Sequence, residues 1–221
     1  MKILVIDVGG SHVKVLMSGK RTPLKLPSGP RLTARAMAKA VIAATAGWDY
    51  DAVSIGFPGP VRNNKPIKEP INLGTGWVRF NYKQAFKKPV RMVNDAAMQA
   101  LGSYAGGHML FLGLGTGLGT TLISDGTVIP LEIAHLPYED DETYEDYLGD
   151  AGRKDLGEKK WAHHVERVVA LFLAALNAEY AVLGGGNVRH LDELPPDCHR
   201  GSNRNAFTGG YRLWKKGVRI P

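Results

Sequence analysis

The sequence predicts an α/β fold built as two halves of similar plan, and three observations support it. Short β-branched runs alternate along the chain with stretches of helical period, the pattern of strand–helix–strand units. Each half opens in the same way, with a strand, a glycine turn and a second strand: KILVIDV, GGSH and VKVLMS over 2–18, then MLFLGLG and GTTLIS within 109–124. At 221 residues the chain is long enough to bury one large core or two small lobes.

Each element has a local reason. After the first hairpin, a Pro-rich connection from Pro23 to Pro30 leads into LTARAMAKAVIAATAG, whose apolar residues recur at helical spacing up to a C-terminal Gly47. DAVSIGFPGPV is a buried strand running into a Gly/Pro loop. RNNKPIKEPINLGTGWVRFN, rich in prolines and turn residues, reads as a loop reaching across a cleft. PVRMV is a short strand. It leads into NDAAMQALGSYAGG, a helix capped by Asn94 or Asp95 and ending at the glycine pair. MLFLGLG and GTTLISDGTVIP give strands with a DG turn at 125–126. YEDDETYEDYLGD reads as loop and short helix, EKKWAHHVERVVALFLAALN as a long helix, and YAVLGGGN as a strand entering a glycine turn. NRNAFTGGYRLW is expected to form a final helix despite Gly209 and Gly210.

Composition narrows the classes. Hydrophobic residues make up 44% and charged residues 22%, as in ordinary globular chains. No run approaches the roughly 20 apolar residues of a membrane span, and MKILVIDVGG lacks a signal-peptide cleavage site, so a strand is expected there and no membrane partner. The single Cys198 excludes an intramolecular disulfide framework and a multi-cysteine zinc site, and points to a reducing cytoplasm. A net charge of +7 invites a nucleic-acid reading. The Lys and Arg residues are scattered without an aromatic-interleaved stripe, so no nucleic-acid partner is expected. Excess positive charge equally suits anionic phosphate ligands.

The glycine-rich stretch GLGTGLGTT fails as a dinucleotide fingerprint, because its third glycine comes one residue early and a strand follows where a helix is required. A Walker A loop is absent from the sequence. What remains is a pair of hairpin turns, DVGGSHVK and GLGTGLGTT, whose backbone N–H groups and Ser or Thr hydroxyls can converge on an anion. Facing each other, two such turns would clamp a polyphosphate between lobes. Asp7, directly before the first glycine pair, suits either a turn cap or a water-mediated Mg²⁺ contact. Lys14, a strand away, reads as a solvated edge. Asp95 opens a helix after a short strand. It suits an N-cap, or a carboxylate that accepts a hydroxyl proton while that oxygen attacks phosphorus.

Taken in order, DVGGSHVK, GFPGPV, PINLGTGW, VNDAAMQA, GLGTGLGTTLI, PLEIAHL and VLGGGN resemble the motif series of ROK-family sugar kinases. The similarity runs from about residue 3 to 190 and is greatest to the compact, zinc-less glucokinase and polyphosphate glucokinase branch. The resemblance implies the two-lobed actin-like ATPase or hexokinase (ribonuclease H-like) fold with a central cleft. The lobes would be 1–95, with the tail from about 206 to 221 packing back on it, and 96–205. It implies phosphoryl transfer from ATP or inorganic polyphosphate, with Mg²⁺, to the 6-hydroxyl of a hexose, foremost glucose. Another hexose, an N-acetylhexosamine or a non-catalytic sugar sensor are the alternatives.

By the same resemblance, Asp7, Gly9, Gly10, Ser11, Gly115, Thr116 and Gly117 hold phosphate, and Asp95 is the catalytic base. Asn72, Asn94, Asp95, Glu132, His135 and Glu145 contact the sugar, and Gly184, Gly185, Gly186 and Asn187 lie at the nucleoside. A cytoplasmic homodimer is implied. Two departures stand out: Ala134 replaces the usual glycine before the histidine, and the Cys-rich zinc motif that many ROK proteins carry after this segment is missing, so no zinc is expected.

Overall fold

The computed structural model describes residues 1–202 and 204–220. Asn203, at the head of the expected final helix, and Pro221, at the end of the tail, lie outside the described residues. In chain order the elements are β1 (Ile3–Val8), β2 (His12–Met17), β3 (Leu24–Pro27), α1 (Ala34–Ala44), β4 (Ala52–Phe57), β5 (Val61–Arg62), β6 (Lys65–Pro66), α2 (Tyr82–Phe86), β7 (Val90–Asn94) and α3 (Asp95–Ser103). The second half continues with β8 (His108–Leu114), β9 (Leu118–Ser124), β10 (Thr127–Leu131), α4 (Tyr144–Leu148), α5 (Asp150–Leu156), α6 (Glu158–Ala175), β11 (Tyr180–Gly184), β12 (Cys198–Arg200) and α7 (Asn205–Arg212).

Two five-stranded sheets share one connectivity, β3-β2-β1-β4-β7 and β10-β9-β8-β11-β12. In each, an antiparallel three-strand meander is extended by parallel strands on the far side of its first strand. The founding strands are buried on both faces, which is why they read as continuous apolar runs. Ile3 and Val5 of β1, with Met109 and Phe111 of β8, enter a central layer built on α3 and α7. Leu4, Ile6 and Val8 face an outer layer under α1 and α2. Leu110, Leu112 and Leu114 face another under α4 and α6. The period of two along each strand thus serves two cores at once.

Local signals explain most element ends. The Thr33 hydroxyl accepts from Ala36 N at 3.2 Å and caps α1. Asp125 and Gly126, at φ 47° and 77°, make the turn between β9 and β10. Trp161, Val165, Val168, Val169 and Phe172 form the buried stripe of α6.

The structure also departs from the sequence reading in several places. The Pro-rich connection contains the edge strand β3, and the expected loop after residue 61 begins with the β5–β6 hairpin, turned by Asn63 and Asn64 at φ 50° and 60°. α3 stops at Ser103, short of the glycine pair, because Arg212 Nη1 takes its terminal carbonyls, those of Leu101 and Tyr104 both at 2.8 Å. Cys198 is half-buried on β12, and burial, then the Asp197 charge, push its thiol up to about 11, so it stays an unreactive thiol at neutral pH. Among the described residues no helix is long and apolar enough to cross a membrane.

Candidate active site

The two glycine turns occupy equivalent places, between the first and second strands of each sheet, and both are held by their carbonyls. In the first, Gly9 N donates to His12 O at 3.0 Å. Ser28 reaches in from the end of β3: its hydroxyl donates to Gly9 O at 2.6 Å and its N–H to Ser11 O at 3.2 Å. In the second, Asn187 Nδ2 donates to Gly115 O at 2.9 Å and Asp150 N to Thr116 O at 3.3 Å. With the carbonyls engaged, the N–H groups of Gly10, Ser11, Thr116 and Gly117 have no protein acceptor among the described residues. Uncommitted N–H groups on a tight turn form an anion-binding concavity.

Replacing Ser28 by Ala should therefore loosen the first turn. A neutral hydrogen bond contributes about 0.5–1.5 kcal/mol. The expected result is a two- to tenfold rise in KM for the phosphoryl donor with KM for sugar unchanged, read from initial rates.

Asp95 sits where strands of the two sheets meet the start of α3, and two strand glycines permit the approach. A Cβ on Gly119 of β9 would lie 2.7 Å from Ala96 Cβ, and one on Gly56 of β4 would lie 2.4 Å from the Met98 methyl and 3.5 Å from Asp95 Cα. Strands from both sheets thus close on the first turn of α3. The Asn94 side chain accepts from Ala97 N at 3.2 Å and donates to Gly59 O at 3.2 Å, so its amide caps the helix and ties down the loop after β4. Asp95 is left free for chemistry beyond one bond, from Ala96 N at 2.9 Å.

Desolvation, then the negative charge of Asp7, raise the Asp95 carboxyl to about 7; Glu132 adds to this and the Ala96 N–H opposes it. Two acids far apart in sequence therefore act on Asp95: Asp7 of β1 and Glu132, the residue after β10. Asp7 is itself buried, and desolvation raises its pKa against the pull of Lys14, whose Nζ lies 3.6 Å from Oδ2. Lys14 is no solvated edge. It is the direct cross-strand neighbour of Asp7 in the β1–β2 ladder.

The remaining sequence-predicted residues fall as follows. Asn72 is exposed and reaches over the first turn, its Cβ 4.0 Å from where a Gly10 Cβ would be. Glu132 and His135, both exposed, flank the short 3₁₀ turn after β10. Glu145 lies on α4 and its Oε2 accepts from Leu118 N at 2.9 Å, against the second glycine turn. Gly184 packs on Phe111, and Gly185, at φ 86°, passes so close to Leu114 that a Cβ would lie 2.2 Å from its carbonyl oxygen; Gly186 faces open space. Asn187 is buried, with its amide committed to Gly115.

Lys14 and Ser28 are the residues that sequence reasoning missed. Lys14 could have been found by counting back across the hairpin from Asp7. Ser28 is brought to its turn only by the β2–β3 pairing.

The chain has the fold of ROK hexokinases: it superposes on the ROK hexokinase from Thermus thermophilus with a TM-score of 0.74 at 20% identity, covering 95% of this chain and 96% of that one. It superposes on the inorganic polyphosphate/ATP-glucomannokinase from Arthrobacter sp. strain KM with a TM-score of 0.79 at 21% identity, again over 95% and 96% of the two chains. In sequence it is related to the polyphosphate glucokinase of Mycobacterium tuberculosis (strain CDC 1551 / Oshkosh), 28% identical over an alignment that covers 86% of this chain and 80% of that protein. No family model matches the chain.

Proposed function

We propose that this protein is a glucokinase-like sugar kinase that transfers a phosphoryl group from ATP or inorganic polyphosphate to the 6-hydroxyl of a hexose, foremost glucose. The observation that carries the reading is Asp95, a carboxyl raised to about 7 where the two sheets close on the start of α3, in a fold whose two glycine turns have uncommitted N–H groups. Phosphoryl transfer asks a protein for positioning and charge stabilisation more than covalent chemistry. A base with a pKa near the working pH combines a useful deprotonated fraction with a useful driving force for proton removal.

On this reading the sugar lies between Asn72, Glu132 and His135, with its 6-hydroxyl at Asp95. The carboxylate takes the hydroxyl proton as that oxygen attacks the terminal phosphorus and the bond to the donor's bridging oxygen breaks. The N–H groups of Gly10, Ser11, Thr116 and Gly117 receive the charge on the equatorial oxygens, with Lys14 beside Asp7 adding positive potential. The open face of Gly186 leaves room for a nucleoside when ATP is the donor.

Mg²⁺ fits the donor set. Among the described residues no group of three His, Cys, Asp or Glu side chains forms a protein cage, and Mg²⁺ is usually held by one or two carboxylates together with phosphate oxygens and waters. Asp7 would be its protein contact, through water, and the ion would supply charge neutralisation on the phosphates. Closure of the lobes 1–95 and 96–205 over the sugar would exclude water from the donor.

The test is initial-rate kinetics with glucose, mannose, fructose and N-acetylglucosamine, each against ATP and polyphosphate. The expected outcome is the highest kcat/KM with glucose and turnover with at least one donor. Sugar binding without transfer to any sugar would replace the reading with a sugar sensor.

A further inference from the structure

The second glycine turn already carries an anion. Glu145 Oε2 accepts the Leu118 N–H at 2.9 Å, and the carboxylate lies over Gly117, where a Cβ would be 2.2 Å from Oε2 and 2.8 Å from Cδ. Glu145 forms no ion pair among the described residues. Its contact is unlike the others on this turn: Asn187 and Asp150 give hydrogen bonds to carbonyls and so leave the N–H side open, whereas Glu145 consumes an N–H and lays a carboxylate over Gly117.

The helix that carries Glu145 does not depend on that bond. α4 is fixed by its own capping box, in which Thr143 and Asp146 bond reciprocally. Its Tyr144 ring stacks on Tyr138 with centroids 4.7 Å apart and meets Phe172 of α6 at 4.8 Å. Tyr147 packs edge-on to Tyr138 at 5.0 Å, and the Tyr138 hydroxyl bonds His164 Nδ1 of α6 at 3.0 Å. Tyr144 N donates to Leu136 O at 3.3 Å, which zips α4 to the turn bearing Glu132 and His135. A rigid support therefore holds this carboxylate at the border between the segment assigned above to sugar and the turn assigned to the donor.

We propose that Glu145 is a sugar-released occupant of the donor turn. In the sugar-free protein its carboxylate takes the Leu118 N–H and repels incoming phosphate. Sugar hydroxyls draw the carboxylate away, and the donor then finds the turn free. This rests on the sugar-kinase reading above and adds to it an energetic link between the two half-sites. A coupling of this kind between two ligands typically amounts to 5- to 150-fold in affinity, and it is reciprocal.

Calorimetry of tripolyphosphate binding, with and without saturating glucose, tests it on the wild type, Glu145→Ala and Glu145→Gln. Glucose should tighten wild-type tripolyphosphate binding at least fivefold. Glu145→Ala should bind tripolyphosphate at least fivefold more tightly than the wild type without glucose, and with no further gain on adding glucose. Glu145→Gln, which keeps the side-chain volume and loses the charge, should shift the same way by a smaller factor and carries the test if the alanine variant is unstable. A permanent brace would behave oppositely, so unchanged or weakened sugar-free binding in the variants overturns the proposal. Wild-type protein that phosphorylates glucose while its tripolyphosphate affinity ignores glucose overturns the proposal alone; protein that phosphorylates no sugar overturns the kinase reading.

Discussion

Asp95→Asn is expected to lower kcat by about 10²- to 10⁴-fold, the range spanned by losing a positioned general base, with sugar affinity within a few-fold of the wild type. Asparagine keeps the shape and can still accept the Ala96 N–H, so geometry is spared and only proton acceptance is lost. Two pH experiments sharpen the expectation. Because Asp95 is raised to about 7, wild-type kcat/KM should climb with pH and level off above that value; the residual activity of the variant should lack this limb.

Stability should run the other way. The folded-state pKa lies above the ordinary 3.8, so the protonated carboxyl is the form the fold favours. The stability Asp95 contributes is complete below about pH 4, declines as pH rises, and is gone above about 7. Asp95→Asn should therefore melt at a higher temperature than the wild type at pH 8 and at the same temperature near pH 4. The gain is bounded at roughly 4 kcal/mol by the size of the pKa change. A base placed at a cost to stability behaves this way; a simple N-cap would lose stability on substitution at both pH values.

Gly209→Ala is expected to destabilise the protein by about 3 kcal/mol, at the upper end of overpacking costs, and so to lower Tm by roughly 6–12 °C for a chain of this size. The reason is a helix crossing at backbone contact. A Cβ at Gly209 of α7 would lie 1.7 Å from the Met98 carbonyl oxygen of α3, and one at Gly102 of α3 would lie 1.8 Å from the Asn205 carbonyl oxygen. Neither clash can be relieved by a side-chain rotation, because both partners are main chain. α7 must move away, taking with it Ala206, Phe207 and Leu213 of the central layer and the Arg212 guanidinium that caps α3. Helix propensity alone gives the opposite sign, since alanine is favoured over glycine by about 1 kcal/mol in a helix interior. Thermal melts of Gly209→Ala beside Thr208→Ala, a change at a half-buried position on the same helix that removes only a side-chain hydroxyl and methyl, separate the two effects. A higher Tm for Gly209→Ala would show that the helices are not held at contact distance.

What the sequence made legible was the part governed by local pattern. The doubly buried strands β1 and β8, the Asp125–Gly126 turn, the stripe of α6 and the placement of Asp95 at a helix start each follow from neighbours close in the chain. Features set by distant partners were hidden. Gly209 and Gly210 argued against a helix because their purpose is the approach of α3 and β1, which no local window contains. β3 was obscured by its prolines and its four-residue length, although an edge strand tolerates both.

In the site, the two turns and Asp95 could be named from spacing, but their supports could not. Ser28 joins its turn from 19 residues away and Asn187 from 72. The resemblance to sugar kinases assigned Glu145 to sugar and Asn187 to nucleoside; the structure places the carboxylate of one and the amide of the other against the second glycine turn, a relation visible only once the lobe is folded.

In the proposed reaction the two turns hold a phosphoryl group over a sugar hydroxyl at Asp95. Phosphorus NMR of the reaction products tests it most directly: wild-type protein with glucose, Mg²⁺ and ATP or polyphosphate should yield glucose 6-phosphate as the major new signal, and Asp95→Asn should yield almost none in the same time. Orthophosphate in place of a sugar ester, or equal glucose 6-phosphate from both proteins, would contradict it.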